Sequence, residues 1–374
     1  MPEDAAPPPP PVDPPAPGGP DTPESPNPSE AARYDWLVDG RLVPPDQATV
    51  EADDAGLQHA VGLFETMICV HGRVFRLDEH LERLAGSAVA LGMAREIDQG
   101  ALADAVRGAI RGNRLERARI RLTVTPGRVG WRPTLASKGA EAAASPTQTG
   151  DTPAPPLRVI VAPSPSPGYD PAYFERGVTV TIAGPLANPF DPHAGHKTLS
   201  YWSRLSSLRR AAEVGAGETI WLSVTNHLAS GAVSNLLLVR KGELFTPFAR
   251  GEEVPGALGA PVLPGVTRAA VLERAEQAGL KVKRKMLTVE ELLDADEVFL
   301  TNSGWGVLPV TQVESKKICD GRVGPVTSNL RLQLLETIDR ETSAAPGSAP
   351  GSGTANGSAN GTDAGANGHR SGSA

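Results

Sequence analysis

Four short stretches of this sequence carry groups suited to chemistry. In HKTLSYW, Lys197 is a primary amine among uncharged neighbours, His196, Thr198 and Leu199. A low-charge pocket disfavours the ammonium form and leaves the amine free to attack a carbonyl. A solvated lysine ahead of a helix has the same local sequence, and that stretch alone favours the surface reading. In DEHLERL, Arg83 lies four residues after Glu79, the spacing of an ordinary ion pair on an exposed helix face. Gly265-Val266-Thr267 open a helix, where free N–H groups and the helix dipole suit an anion, although a plain capping turn looks the same. Thr301, Asn302 and Ser303 form a polar turn at the end of an apolar strand, a pattern that turns also adopt for structural reasons. His193 and His196 have metal-ligand spacing without a third ligand, so no metal is expected. DGRVGP near 320–325 reads as a hairpin turn rather than a phosphate loop, since no Lys-Ser/Thr follows.

The elements that must position these groups follow from periodicity and turn residues. Asp39-Gly40 and His71-Gly72 each separate two apolar runs and predict hairpins. A helix is predicted from about Asp78 as N-cap, with Leu77, Leu81, Leu84, Ala88 and Leu91 as its buried stripe and Gly92 as its C-terminal cap. A second helix near 99–112 and a strand at 117–125 complete a small α+β unit. Beyond it, LRVIVAP, GVTVTIA, TIWLSVT, VSNLLLV, ELFTPF and EVFLTNS read as strands. Helices are predicted at 199–214, over VTRAAVLERAEQAG to Gly279, and at 325–341. This alternation is that of an α/β unit. Trp202, Trp221 and Trp305 read as core or pocket wall.

Composition bounds the rest. The chain has 374 residues and a net charge of −7, from 36 basic and 43 acidic side chains, with no basic stripe. Nucleic acid is therefore not an expected partner. No apolar run is long enough for a membrane span, and neither a span nor a secretory signal is expected. Cys69 and Cys319 cannot build a disulfide framework, which fits a reducing, cytoplasmic setting. Residues 1–30 (proline-rich), 343–374 (Gly/Ser/Asn-rich) and an insert at about 134–155 carry too little apolar surface to offset the entropy of ordering, and are expected to be disordered.

Five segments together resemble the class IV aminotransferases: GLFETMICVHGRVFRLDEHLERLAGSAVALGM (62–93), HKTLSYWSRL (196–205), SGAVSNLLLVRKGELFTP (230–247), VLPGVTRAAVLERA (262–275) and EVFLTNSGWGVLPV (297–310). They occur in the family's order and are spread over residues 62–310. That family includes branched-chain and D-amino acid aminotransferases and 4-amino-4-deoxychorismate lyase. The resemblance implies an α/β (α+β) fold of type IV in two domains. These are a small N-terminal α+β domain at about 31–160, which carries the insert, and a larger C-terminal α/β domain at about 164–342. It further implies pyridoxal 5'-phosphate as cofactor, held by Lys197 as a Schiff base, and an amino acid or amino-chorismate-like substrate. A homodimer is expected on the same ground.

By the same resemblance Arg83 is the charged ligand of the cofactor phosphate. Gly265, Val266 and Thr267, with Asn302 and Ser303, supply its other contacts, and Ser234 and Asn235 lie by the ring. Phe64, Arg132 and Tyr201 fall on the substrate side, Tyr201 being equally readable as a packed helix aromatic. The sequence also departs from the pattern. Ser230 stands where the family has a glutamate that bonds the pyridine nitrogen, and a hydroxyl cannot stabilise a positive charge as a carboxylate does. DAGLQHAVGLFE replaces DRGxxxGDGxxE, with Ala55, Ala60 and Val61 at the altered positions, and Pro126 stands in the TRG turn. Three readings follow: an aminotransferase acting through Lys197, an aminodeoxychorismate-lyase-like enzyme with a weaker electron sink, and a degenerate paralogue that binds the cofactor without transaminase activity.

Overall fold

The computed structural model describes residues 34–128 and 157–343. The two tails, the insert and Arg132 lie outside the described residues.

The first half builds an antiparallel sheet from β1 (Trp36–Val38), β2 (Arg41–Val43), β3 (Leu63–Val70), β4 (Arg73–Val74), β5 (Arg117–Thr125) and β6 (Arg158–Ser164), in the order β2-β1-β6-β5-β3-β4. Both hairpin turns form as expected. Asp39-Gly40 and His71-Gly72 take positive φ at both positions, which matches the twist of the flanking strands. The sheet is covered by α2 (Leu77–Ala90) and α3 (Gln99–Asn113), which follow the short α1 (Ala55–His59). Leu81, Leu84 and Ala88 from α2 meet Met67, Ile120, Leu122 and Val124 in one core. The helix begins two residues earlier than Asp78 as N-cap predicts. Arg76, in the left-handed region, precedes its first residue, and Asp78 joins Glu79 in the first turn, where the dipole favours acids.

A nine-stranded mixed sheet follows: β7 (Val178–Ala187), β8 (Glu218–Ser223), β9 (Leu228–Gly231), β10 (Asn235–Arg240), β11 (Glu243–Thr246), β12 (Lys281–Arg284), β13 (Glu297–Asn302), β14 (Gly306–Val313) and β15 (Lys316–Lys317). Its order is β12-β11-β10-β13-β14-β7-β8-β9, with β15 beside β14. Its central strands are apolar on both faces, as a sheet covered on both sides requires. Leu236, Leu238, Val298 and Leu300 point to one core, while Leu237, Val239 and Phe299 point to the other. Of the remaining helices, α4 (Ala172–Glu175), α5 (Trp202–Glu213), α6 (Val266–Gln277), α7 (Val289–Leu293) and α8 (Pro325–Ser343), α6 and α8 close that second core.

Three expectations need correcting. The helix expected at 199–214 starts only at Trp202, because the chain before it is held extended against β3. DGRVGP is not a hairpin turn: residues 319–321 make a tight turn that feeds α8. Trp202 is neither core nor pocket wall but 84% exposed, whereas Trp221 is buried and Trp305 lines a cavity.

Candidate active site

Lys197 is fixed by backbone before its side chain is considered. Its carbonyl accepts from Phe64 N at 3.0 Å, and Leu199 N donates to Gly62 O at 3.0 Å, so the loop is stitched antiparallel to the start of β3. Gly195, at φ +80°, permits the approach: a Cβ there would sit 2.8 Å from Ala260 O. The amine then lies 4.4 Å from the Phe64 ring centroid and 5.6 Å from that of Tyr201. The two rings meet edge to face at 5.1 Å. This seat is aromatic, and the described cavity lining has no carboxylate.

Arg83 points inward from α2 and does not pair with Glu79. Its guanidinium donates to both oxygens of the fully buried Glu65, at 2.9 Å and 2.5 Å, and to Pro264 O at 2.7 Å. His80 Nδ1 lies 2.8 Å from the same carboxylate. Burial works to raise the Glu65 pKa, but the Arg83 charge and the His80 hydrogen bond outweigh it and hold the carboxyl at about 2. Burial also pushes the His80 pKa down. Glu65 thus neutralises Arg83 and ties β3 to the loop that leads into α6.

That loop delivers an anion cradle. Gly265 precedes α6 with extended backbone and no side-chain cap, so the first N–H groups of the helix stay free. A Cβ on Gly265 would collide with Asn235 Oδ1, whose amide donates to Leu263 O at 2.8 Å. Thr267 Oγ faces Ser303 Oγ at 3.5 Å across the cradle. Asn302 shapes the turn: its Oδ1 accepts from Gly304 N and Trp305 N, and its amide donates to Val233 O. Thr301 Oγ1 and Trp305 Nε1 are buried without a partner among the described residues.

The opposite wall is the 230–235 turn. Ser230 is buried and donates to Gly231 O at 2.9 Å. Arg204 from α5 packs over Trp221 and donates to Ser230 Oγ (3.4 Å), Gly231 O (3.1 Å) and Ala232 O (3.1 Å). Beneath the turn, the Glu218 carboxyl accepts from the backbone N–H of Thr219, Ala232 and Val233 and from Ser234 Oγ. Burial nevertheless pushes its pKa up. Beside Lys197, His196 bonds Ser87 Oγ at 2.9 Å; burial, helped by Arg250 and His193, lowers its pKa to about 4. His193 pairs with Asp191 instead, and no cluster able to hold a metal occurs among the described residues.

These walls enclose one cavity of about 430 Å3. It gathers Lys197, Arg83, Phe64, Tyr201 and Ser230 from the first half of the predicted set. Ser234, Asn235, Gly265, Val266, Thr267, Asn302 and Ser303 line it too. Arg132, expected on the substrate side, lies outside the described residues. Arg119, Arg121, Tyr169 and Arg204 also line the cavity and were not foreseen. The alternation in RARIRL places Arg119 and Arg121 on the face opposite Ala118, Ile120 and Leu122, and is the one signal that pointed to them. Glu65 and His80 sat inside quoted motifs without an assigned role.

Comparison with known proteins agrees with this architecture. Residues 62–313 match the family model described as amino-transferase class IV. The branched-chain-amino-acid aminotransferase of Salmonella typhimurium is 31% identical over 326 residues, spanning 84% of this chain and 96% of that protein. The crystal structure of the Escherichia coli branched-chain amino acid aminotransferase superposes with a TM-score of 0.70 at 28% identity, covering 84% of this chain and 98% of that one. The 4-amino-4-deoxychorismate lyase from Pseudomonas aeruginosa gives 0.66 at 29% identity, covering 81% and 99%.

Proposed function

The chain belongs to the class IV aminotransferase family, and from that premise we propose that it holds pyridoxal 5'-phosphate through Lys197 and moves the amino group of an amino acid. The carrying observation is a primary amine and an uncapped helix N-terminus sharing one cavity whose described lining has no carboxylate. The residues fit the cofactor. Val266 N, Thr267 N, Thr267 Oγ and Ser303 Oγ are donors suited to a phosphate, with Arg83 behind them. Buried Thr301 Oγ1 and Trp305 Nε1, without partners in the described chain, mark polar surface that a bound group relieves. When bound, the cofactor supplies an aldehyde for the amine and an electron-withdrawing ring that loosens the proton on the amine-bearing carbon. Lys197 would hold the group through Nζ, and the same nitrogen, when free, would be placed to move that proton. Phe64 and Tyr201 keep water and anions away from Nζ.

A second reading, lyase or elimination chemistry in place of full transamination, is favoured by the Ser230 corner. The described atoms nearest that hydroxyl include the Arg204 guanidinium, and no carboxylate is offered there. A permanent cation beside a ring nitrogen disfavours its protonation and weakens the ring as an electron sink. A homodimer belongs to the same proposal, since the exposed Trp202 and Leu205 are apolar surface that a second copy would cover.

An absorption spectrum of the protein with pyridoxal phosphate, before and after L- and D-amino acids and beside Lys197→Ala, tests these readings. A visible band that Lys197→Ala loses and a donor shifts supports the aminotransferase. A lysine-dependent band that no donor alters supports a cofactor-binding relative without transfer. No band at all refutes the proposal.

A further inference from the structure

We propose that Arg204, rather than Ser230, is the hydrogen-bond donor to the ring nitrogen of the bound cofactor, which it holds as a neutral acceptor. This rests on the reading of Lys197 as the residue that holds pyridoxal phosphate, and it adds a cofactor-binding residue to that site. The place of the ring nitrogen follows from connectivity. Aldehyde carbon and nitrogen stand para to each other, so a ring joined to Nζ turns its nitrogen away from Lys197. Phe64 and Arg121 belong to the amine's own side, since the Arg121 guanidinium and Nζ lie 3.9 Å and 4.4 Å from the same Phe64 ring centroid. On the same reading the α6 terminus takes the phosphate arm. The 230–235 turn, on the wall opposite that terminus, is left to face the nitrogen.

The hydrogen bonds of that turn decide which group is free to donate. The Ser230 hydroxyl has one hydrogen and gives it to Gly231 O at 2.9 Å, so it has only lone pairs to offer. The backbone N–H groups of Ala232 and Val233 are taken from below by the buried Glu218 carboxyl, each at 3.1 Å, and Ser234 Oγ donates to the same group at 2.9 Å. The turn cannot easily rearrange around these bonds: a Cβ on Gly231 would fall 2.1 Å from Ser234 Oγ and 2.8 Å from Glu218 Oε2. Asn235 and Asn302 give their amides to Leu263 O and Val233 O. Arg204 is the exception. Its Nη1 alone serves Ser230 Oγ, Gly231 O and Ala232 O, while Nε and Nη2 have no partner among the described residues. Glu218 and Arg204 thus clamp the turn across its backbone, one through N–H groups and the other through carbonyls, and only the guanidinium keeps donors in reserve.

A guanidinium donates hydrogen bonds but does not surrender a proton at neutral pH. A ring nitrogen facing it therefore accepts a hydrogen bond and stays unprotonated, because a second positive charge at that distance is repelled. The site should in consequence recognise the cofactor by this one atom. A ring carrying C–H in its place loses the bond and leaves a donor of Arg204 facing carbon.

The test reads binding rather than turnover. Pyridoxal 5'-phosphate and its carba analogue, in which C–H replaces the ring nitrogen, are titrated by fluorescence into full-length wild type, Arg204→Leu, Arg204→Lys and Ser230→Ala. The ratio of the two affinities should favour the natural cofactor in wild type and fall by ~10-fold or more in Arg204→Leu, as expected for loss of one charge-assisted hydrogen bond. Ser230→Ala should keep the wild-type ratio, and Arg204→Lys, which retains a cationic donor, should keep part of it. An arginine that only holds the turn together would weaken both aldehydes equally and leave the ratio unchanged. That result, or a ratio abolished by Ser230→Ala and not by Arg204→Leu, overturns the inference. Nitrogen NMR of cofactor labelled at the ring nitrogen gives a second readout: an unprotonated, hydrogen-bonded nitrogen is expected in wild type at neutral pH, and a pyridinium signal overturns the inference. If these outcomes fail while the Lys197-dependent band persists, only this inference falls. If neither aldehyde binds, the cofactor reading falls with it.

Discussion

Glu65→Gln is the substitution on which the reasoning about this site can be tested most sharply. The carboxylate is fully buried, and its pKa falls from an ordinary 4.5 to about 2 despite the opposing effect of burial. At about 1.4 kcal/mol for each tenfold change in proton affinity, the ionised form contributes about 3 kcal/mol to folding at neutral pH. The amide keeps the shape and removes the charge, leaving Arg83 as a buried cation without its partner, a change of the same order. Urea unfolding at pH 7 should therefore show a loss of about 3 kcal/mol. Because the folded pKa is depressed, the contribution is complete above pH 4.5 and fades as pH falls toward about 2. The gap between wild type and variant should narrow between pH 7 and pH 3, measured with His80→Asn in both backgrounds to remove the neighbouring titration. A cycle with Arg83→Met apportions the rest: the double variant should be more stable than the two single losses added together. A loss below about 1 kcal/mol, or single losses that simply add, refutes the claim that this pair carries the energy.

Two further outcomes follow. His196 has its pKa lowered to about 4 by burial, Arg250 and His193, so the unfolded chain takes up its proton first as pH falls. Urea midpoints should drop between pH 6.5 and 4, and His196→Asn should flatten that slope; an unchanged slope would count against the assignment. Gly265→Ala drives a methyl group into Asn235 Oδ1 at the mouth of the anion cradle. Fluorescence titration with pyridoxal phosphate should show affinity reduced by ~10-fold or more with the fold intact by circular dichroism, and unchanged affinity would remove the cradle from the site.

What was legible in the sequence was what local physics decides. Asp39-Gly40 and His71-Gly72 need positive φ at two successive residues, and few dipeptides accept that. The α2 stripe follows from the helical period. The start of α5 was missed because its position is set by a backbone bridge between Thr198 and Leu63, residues 135 apart, which no local pattern records. Arg83 is the more instructive case. Its spacing from Glu79 suggests a surface pair, but the buried charge of Glu65 on a different element draws it inward. Only the ordering of several segments together, rather than any one of them, pointed to that orientation. Arg204 was missed because its partners are main-chain oxygens, which leave no trace in side-chain composition.

The cavity's charges also bear on what the departures from the family pattern mean. A chain that had merely lost function would be expected to lose charged groups singly and leave their partners stranded. Here the carboxylate absent at position 230 is accompanied by a cation, Arg204, whose hydrogen bonds to Ser230 Oγ and two carbonyls hold it in place, and by Glu218, which fastens the same turn from below through four donors. A half-buried guanidinium facing a glutamate at 230 would form an ion pair and withdraw that carboxylate from any ligand; facing a serine, it presents its charge to the cavity. The serine and the arginine are therefore one arrangement, and restoring a carboxylate alone should not restore an electron sink. Ser230→Glu should give a protein whose new carboxylate pairs with Arg204, and only Ser230→Glu with Arg204→Leu should leave a carboxylate free to meet a bound ring. That ordering follows from charge and reach alone, and it distinguishes a re-tuned site from a decayed one.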